Sequence, residues 1–309
     1  MKEDSRIMAL KDIIRDVHGP NELIPLINQY VSSRPGDYRE EGWHPSGFAG
    51  MCARKEVLMK LVNWPEEEWN PDTRLLKIFD VGKALHEWYQ NKYLGPMGIL
   101  WGKWKCSICG QIEWGTMPGI PCKCLGMIAR SSKLPPARMT WHYEEIPLKY
   151  EWEGCEKPVV GHSDGLVKVG VSWKELELKS INDYGFSKLG SAKPEHVSQG
   201  KVYMELVRRK CVRGLPEGIE VPVPDALLML YVNKDKSIEK EFEFPYDDQG
   251  ARELEQPERY ERAFIEKILP ERHHLCTNML TNPANDCPVG SYCFGNLNWE
   301  QLLGEGRGR

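Results

Sequence analysis

No stretch of eighteen or more apolar residues occurs in the chain, so the sequence offers no membrane-spanning helix. The N-terminus, MKEDSRIMALKDIIRD, lacks the basic end followed by an apolar run that marks an export signal. These absences lead to the expectation of a cytoplasmic protein without a membrane role. No internal repeat or low-complexity tract stands out, and neither sign of charge dominates: 41 Lys and Arg face 45 Asp and Glu, a net charge of −4. A slightly acidic total does not exclude a nucleic-acid partner, because binding follows the local field of a groove. With 41% hydrophobic and 28% charged residues the chain has the composition of a folded protein. Its 309 residues suit one large domain with an appended or inserted lobe.

Cysteine is plentiful by contrast. Ten cysteines in a chain without an export signal point to metal ligation rather than disulfides. Cys106, Cys109, Cys122 and Cys124 form C-x2-C-x12-C-x-C. The first pair can wrap one side of a Zn²⁺ ion while the Gly and Pro-rich loop returns the second. The C-x-C half is tighter than an ordinary zinc ribbon. Cys276, Cys287 and Cys293 follow a looser C-x10-C-x5-C, whose spacing cannot choose between zinc and an iron–sulfur cluster. Cys155 and Cys211 fit neither set.

The leading third reads as helix: IMALKDIIRDV, NELIPLINQYVSSR, then 46–62 and 74–93. Residues 95–137 have no sustained period and read as a small knuckle held by a ligand rather than by a hydrophobic core. From 141 onwards strands are expected in WHYEEIPLKYEW, VVGHSDGLVKV and SWKELELKSI. A helix over PEHVSQGKVYMELVRRKC, strands DALLMLYVN and SIEKEFEFPY, and a helix ARELEQPERYERAFIEKIL follow. That order implies an α/β core with a mixed sheet.

The chemistry concentrates in the strands. Asp164 lies in GHSDGL, and Glu177 and Lys179 follow on one face of SWKELELKS, with Leu176 and Leu178 turned into the core. If the strand bearing Asp164 pairs with this one, two carboxylates converge and can hold divalent cations through oxygen ligands. Lys179 then lies within reach of the attacking water or the scissile phosphate, where its charge assists deprotonation or offsets developing negative charge. A solvated strand face alternates Glu and Lys in the same way, so the pattern alone does not decide. Gln199 and Tyr203, four apart, share a helical face, and His86 in VGKALHEWYQ offers an imidazole to the same centre. Glu87 beside it is the weaker ligand, since adjacent helical residues diverge by about 100°.

The ordered set VGKALHEW, GHSDG, ELELK and QGKVYMEL resembles the PD-(D/E)XK nuclease superfamily. Within it, the set resembles the RecB-like branch, especially the iron–sulfur exonucleases related to the CRISPR-associated spacer-acquisition nucleases. The motifs span residues 82–206, and the cysteines extend the match over about 46–294. The resemblance implies a restriction-endonuclease-like α/β core with a mixed central sheet flanked by helices. It implies a Mg²⁺ or Mn²⁺ centre at His86, Asp164 and Glu177, with Lys179, Gln199 and Tyr203 as further catalytic residues. It also implies that Cys52 joins Cys276, Cys287 and Cys293 around a [4Fe–4S] cluster that staples the leading helices to the tail. The zinc knuckle lies outside the family's minimal pattern.

On this basis four regions are expected. They are a helical part, 1–94, with Cys52 and His86; a zinc-binding insertion, 95–137; the nuclease core, 138–270; and an iron–sulfur tail, 271–309, packed back on the first. The implied activity is metal-dependent DNA exonuclease action on single strands or frayed ends, in recombination, repair or mobile-element processing. The alternative is a non-autonomous DNA-binding or end-processing subunit of a larger nuclease, helicase or integrase complex. The implied partners are DNA, a protein of a recombination, replication or integration complex, and further copies of the chain. Arg54, Lys55, Arg208, Arg209, Lys210 and Arg213 are candidates for phosphate contacts, or for solvated helix ends. Trp101, Trp104 and Trp114 flank the knuckle cysteines, where packing is favoured over stacking on bases.

Overall fold

The structure, a computed structural model, describes residues 23–34, 40–65, 71–124, 140–273, 276, 286–295 and 297–307. The first expected helix, IMALKDIIRDV, lies outside the described residues. Helices α1 (Leu23–Ser33), α2 (Pro45–Phe48), α3 (Ala53–Leu61) and α4 (Thr73–Trp88) come first, and a π-helical turn over Tyr89–Leu94 continues the last. Strands β1 (Leu100–Cys106), β2 (Ile112–Thr116), β3 (Trp141–Glu144), β4 (Ile146–Tyr150), β5 (Val159–Ser163), β6 (Gly165–Val169) and β7 (Ser172–Ile181) follow. Helices α5 (Asp183–Lys188) and α6 (Pro194–Arg208), strands β8 (Ala226–Asn233) and β9 (Ile238–Pro245), and helices α7 (Gln249–Glu266), α8 (Gly290–Phe294) and α9 (Trp299–Arg307) complete the order.

The chain divides into two units. The smaller comprises 1–39 and 68–83; the larger comprises 40–67 and everything from Ala84 onwards. In the smaller unit Arg34 pairs with Asp80 at 2.8 Å, and Lys77 donates to Asn28 at 2.5 Å, joining α1 to the start of α4.

The larger unit is a mixed α/β fold built on a sheet of order β2-β1-β6-β7-β8-β9, with β3 also pairing β1. Only the β7–β8 ladder in this sheet is parallel, and α5 and α6 supply its crossover. Period-two alternation gives the sheet two different faces. Leu100, Trp104, Val167, Leu176 and Leu178 occupy one, under Leu94 and Tyr89 of the π turn. Trp101, Leu166, Glu175, Glu177, Lys179, Leu227, Met229 and Tyr231 occupy the other, where α6 brings Val202, Tyr203, Met204 and Leu206. Burying each such apolar side chain contributes about 1.5–3 kcal/mol.

Four expectations need revision. The expected helix over 46–62 is broken because Ala49 and Cys52 are extended, with ψ of 123° and 106°. The described part of the expected knuckle, 95–124, is not held by a ligand alone: β1 joins the central sheet, and Trp104, 0% exposed, packs with Trp141 and Tyr143. The two strands expected over 141–152 and 159–169 each divide in two, at Glu145 and at Asp164. The short helix α5 stands where the sequence had suggested none.

Candidate metal centres

The two strand breaks coincide in space. Strands β4 and β5 pair apart from the central sheet, with Ile146 opposite Ser163, so Glu145 and Asp164 are the next residues of that register. There β3 leaves to pair with β1 while β6 turns to pair with β1 and β7. Gly165 takes φ +140° at this corner, and a Cβ there would stand 2.6 Å from Leu100 and from the Tyr143 hydroxyl, so only glycine fits. The end of α4 and the π turn close the corner from outside. Gln90 donates to the Asp164 carbonyl at 2.9 Å, and the Tyr143 amide donates to Asn91 at 2.7 Å.

These constraints bring His86, Glu145 and Asp164 together, with one ligand atom of each within 4.8 Å of the others. His86 Nδ1 lies 3.2 Å from Asp164 Oδ1 and 4.0 Å from Glu145 Oε1. The other Asp164 oxygen accepts the Leu178 amide at 2.7 Å. Burial works against charge on both His86 and Asp164. Their mutual attraction prevails, raising the imidazole pKa and lowering that of the carboxyl. Glu145 goes the other way: burial, then the charge of Asp164, pushes it up to about 8. Sequence reasoning missed Glu145. Its signal was a phase slip, because in W-H-Y-E-E-I-P-L two residues rather than one separate the inward Tyr143 and Ile146.

Glu177 stands just outside this trio, on β7. Its Oε1 pairs with Lys179 Nζ at 2.5 Å, whereas its Oε2 is buried without a hydrogen-bond partner. Burial raises Glu177 to about 7, against the pull of Lys179. Lys179 resists burial through the charges of Glu177 and Asp164, so its pKa is raised and it remains an ammonium. Lys179 donates to Gln199 Oε1 at 3.2 Å, and Gln199 also bonds Tyr203, whose phenol burial holds well above its ordinary range. A second acid on the same face of β7, Glu175, was also missed. It accepts from Ser163 Oγ at 2.5 Å, and its second oxygen is buried without a partner. Orphaned carboxylate oxygens beside a His/Glu/Asp trio suit a hard cation, which would supply what the protein leaves unsatisfied.

The second cluster caps the β1–β2 hairpin. Cys106 and Cys109 lie in its turn, where Gly110 at φ +75° lets its amide reach the Cys106 carbonyl at 3.0 Å. The Cys106–Cys124 and Cys109–Cys122 sulfurs stand 3.6 and 3.7 Å apart, and all four lie mutually within 4.8 Å. Four thiolates about 2.3 Å from one ion have edges of about 3.8 Å, so the set fits a tetrahedral ion. Burial opposes ionisation of Cys106, yet amides of Cys109 and Ile108 bring it down to about 7. Burial pushes Cys124 up to about 12.

Cys52, Cys276, Cys287 and Cys293 line one cavity with Lys55, His273, Val289, Gly290 and Phe294. Cys52 stands at the N-cap position of α3, where burial raises its thiol pKa. Among the described residues these thiols form no group of three within 4.8 Å, so they are spaced more widely than the ligands of a single ion.

The basic candidates are mostly engaged elsewhere. Arg54 donates to the carbonyls of Pro270 and Cys293, at 2.7 and 3.4 Å, and so anchors the tail. Lys55 pairs with Glu56, Arg208 bonds the Pro224 carbonyl, and Arg209 pairs with Glu205. Arg213 forms two bonds to Glu40, while Lys210 is exposed at the end of α6 with φ +59°. Trp101 and Trp104, 5% and 0% exposed, are core; Trp114 is half-buried. The Glu87 carbonyl receives Asn91, and its carboxylate joins no candidate cluster among the described residues. Cys155 and Cys211 stand apart from both thiol sets.

No described helix is long and apolar enough to cross a membrane. No family model and no curated protein matches the sequence. Among solved structures, SSO0001 matches with 11% identity and a TM-score of 0.36, over 90% of this chain and 98% of that one, a likeness too loose to carry an argument. The geometry by itself gives a mixed α/β protein with two candidate metal-binding clusters, a four-cysteine set and a His/Glu/Asp trio suited to a catalytic or binding role.

Proposed function

We propose that the chain is a divalent-metal-dependent deoxyribonuclease of the PD-(D/E)XK type, an exonuclease acting on single strands or frayed ends. The observation that carries this reading is the joining of two arrangements. The His86, Glu145 and Asp164 trio stands beside a buried Glu177–Lys179 pair, and Glu177 Oε2 has no partner. His86, Glu145, Asp164 and Glu177 are the residues that would hold Mg²⁺ or Mn²⁺. A cation held there supplies positive charge against which the scissile phosphate is polarised.

The chain's own groups do the rest. Lys179, fixed between Glu177 and Gln199, presents its ammonium to the phosphate and offsets the charge that develops in the transition state. Glu177 holds Lys179 in place through Oε1, and Oε2, without a partner in the protein, is the oxygen that would bind the cation. Gln199 and Tyr203 position Lys179 through their hydrogen bonds. In the same reading Cys106, Cys109, Cys122 and Cys124 hold Zn²⁺. The wider set of Cys52, Cys276, Cys287 and Cys293 holds a [4Fe–4S] cluster, whose role is to staple α3 to the tail.

The test is degradation of end-labelled single-stranded DNA in Mn²⁺ by anaerobically purified protein, beside a folded Lys179→Ala variant. Digestion by the unaltered chain alone supports the reading, and the labelled end reports polarity. Digestion by neither moves the role to a binding or partner-dependent subunit.

A further inference from the structure

The sheet face that carries Glu175, Glu177 and Lys179 does not end under α6. Opposed residues of the ladders share a face, so it runs from Glu175 through Leu166 and Trp101 onto the cysteine hairpin. There Lys103 stands opposite Trp114 and Lys105 opposite Ile112. Beyond Trp101 the cover thins: Trp114 is half-buried, while Ile112 and the Lys105 side chain are 46% and 48% exposed. Trp114 rests on Trp101, ring centroids 5.9 Å apart, which fixes one side of the indole. Lys103 and Lys105 both reach Glu144, at 2.6 and 3.0 Å, so two cations share a single anion and the patch carries net positive charge.

We infer that this face of the β1–β2 hairpin is the track for a single nucleic-acid strand entering the acidic centre, with Trp114 as stacking platform and Lys103 and Lys105 as phosphate contacts. The inference rests on the nuclease reading and adds where the strand lies. An aromatic ring braced from behind and flanked by cations is what unpaired bases and their phosphates require, and it reads no sequence. The four-cysteine cluster gains a role as the clamp that keeps this hairpin in line with the sheet. Glu144, which both lysines reach, is followed directly by Glu145 of the acidic trio, so the exposed patch borders that centre.

The experiment measures binding of fluorescent oligo(dT) to the full chain by anisotropy, in the Lys179→Ala background so that the strand is not consumed. Trp114→Ala weakens binding of a twelve-nucleotide strand about 5- to 150-fold, and Trp114→Tyr restores most of it. Lys105→Gln lowers the slope of log affinity against log salt by about 0.7. Glu144→Gln, which frees both lysines, tightens binding severalfold, the opposite of what the loss of a merely structural ion pair produces. Unchanged affinity in Trp114→Ala and Lys105→Gln overturns the track while leaving the nuclease reading intact, and preference for duplex over single strand overturns it as well. Failure of the chain to bind any oligonucleotide removes the nuclease reading itself.

Discussion

Replacing Glu145 with Gln separates a metal ligand from a structural carboxylate. In the metal-free protein Glu145, pushed up to about 8 by burial and by Asp164, is largely protonated at pH 7, so a neutral amide of the same shape is a small change. The metal-free variant should therefore unfold within about 0.5 kcal/mol of the unaltered chain, as substitutions that remove no interaction do. With Mn²⁺ the two should diverge, because the trio loses one of its three ligands. At one hundred times its dissociation constant a bound cation stabilises by about 2.7 kcal/mol. If Gln weakens binding about 100-fold, only about 0.4 kcal/mol remains at the same Mn²⁺ concentration. In a domain of this size that difference is about 5–9 °C in Tm. Differential scanning fluorimetry with and without Mn²⁺ reads it directly. An undiminished Mn²⁺ shift in Glu145→Gln would refute the assignment, and a metal-free variant that unfolds much earlier would show Glu145 to be structural.

Proton linkage supplies a second outcome. The folded pKa values of Glu177 and Glu145, about 7 and about 8, lie above their ordinary 4.5. Their contribution to metal-free stability is therefore fully present below about pH 4.5 and lost as pH rises through 7 and 8. Cation binding runs the opposite way: Mn²⁺ affinity rises between pH 6 and 8, up to tenfold per pH unit for each proton displaced, as titration calorimetry in buffers of different ionisation enthalpy would record. Cys109→Ser should leave the purified chain short of one zinc by elemental analysis and lower its Tm, whereas Cys155→Ser should do neither. Cys287→Ser should remove the broad visible absorbance of anaerobically purified protein while leaving its zinc content unchanged. Trp104→Ala, which empties a fully buried site, should cost about 3–5 kcal/mol in urea unfolding, far more than Trp114→Ala.

Much of the site was legible because its residues follow strict local periods. Glu177 and Lys179 alternate with Leu176 and Leu178, and Gln199 and Tyr203 sit one helical turn apart, so their shared faces could be read from spacing. The cysteine hairpin was legible because its four cysteines lie within nineteen residues. Glu145 escaped because it occupies a break, and a break has no period. Reading 141–152 as one strand placed consecutive acids on opposite faces, whereas the fold ends β3 at Glu144 and begins β4 at Ile146. The entry of β1 into the central sheet was hidden too, since its partner β6 lies more than sixty residues away and the local texture is that of a Gly and Pro-rich loop. The arginines misled for a third reason. Charge at a helix end looks the same in sequence whether it faces solvent or, as with Arg54 and Arg208, a backbone carbonyl.

The central claim is that the corner formed by His86, Glu145, Asp164 and Glu177 hydrolyses DNA through a bound divalent cation. Its most direct test is the Mn²⁺ dependence of end-labelled single-strand degradation, compared between the unaltered chain and Asp164→Asn. The account predicts a saturable rise with Mn²⁺ in the first and a rate at least a hundredfold lower at every concentration in the second. Degradation that persists in chelator, or that Asp164→Asn leaves unchanged, would contradict it.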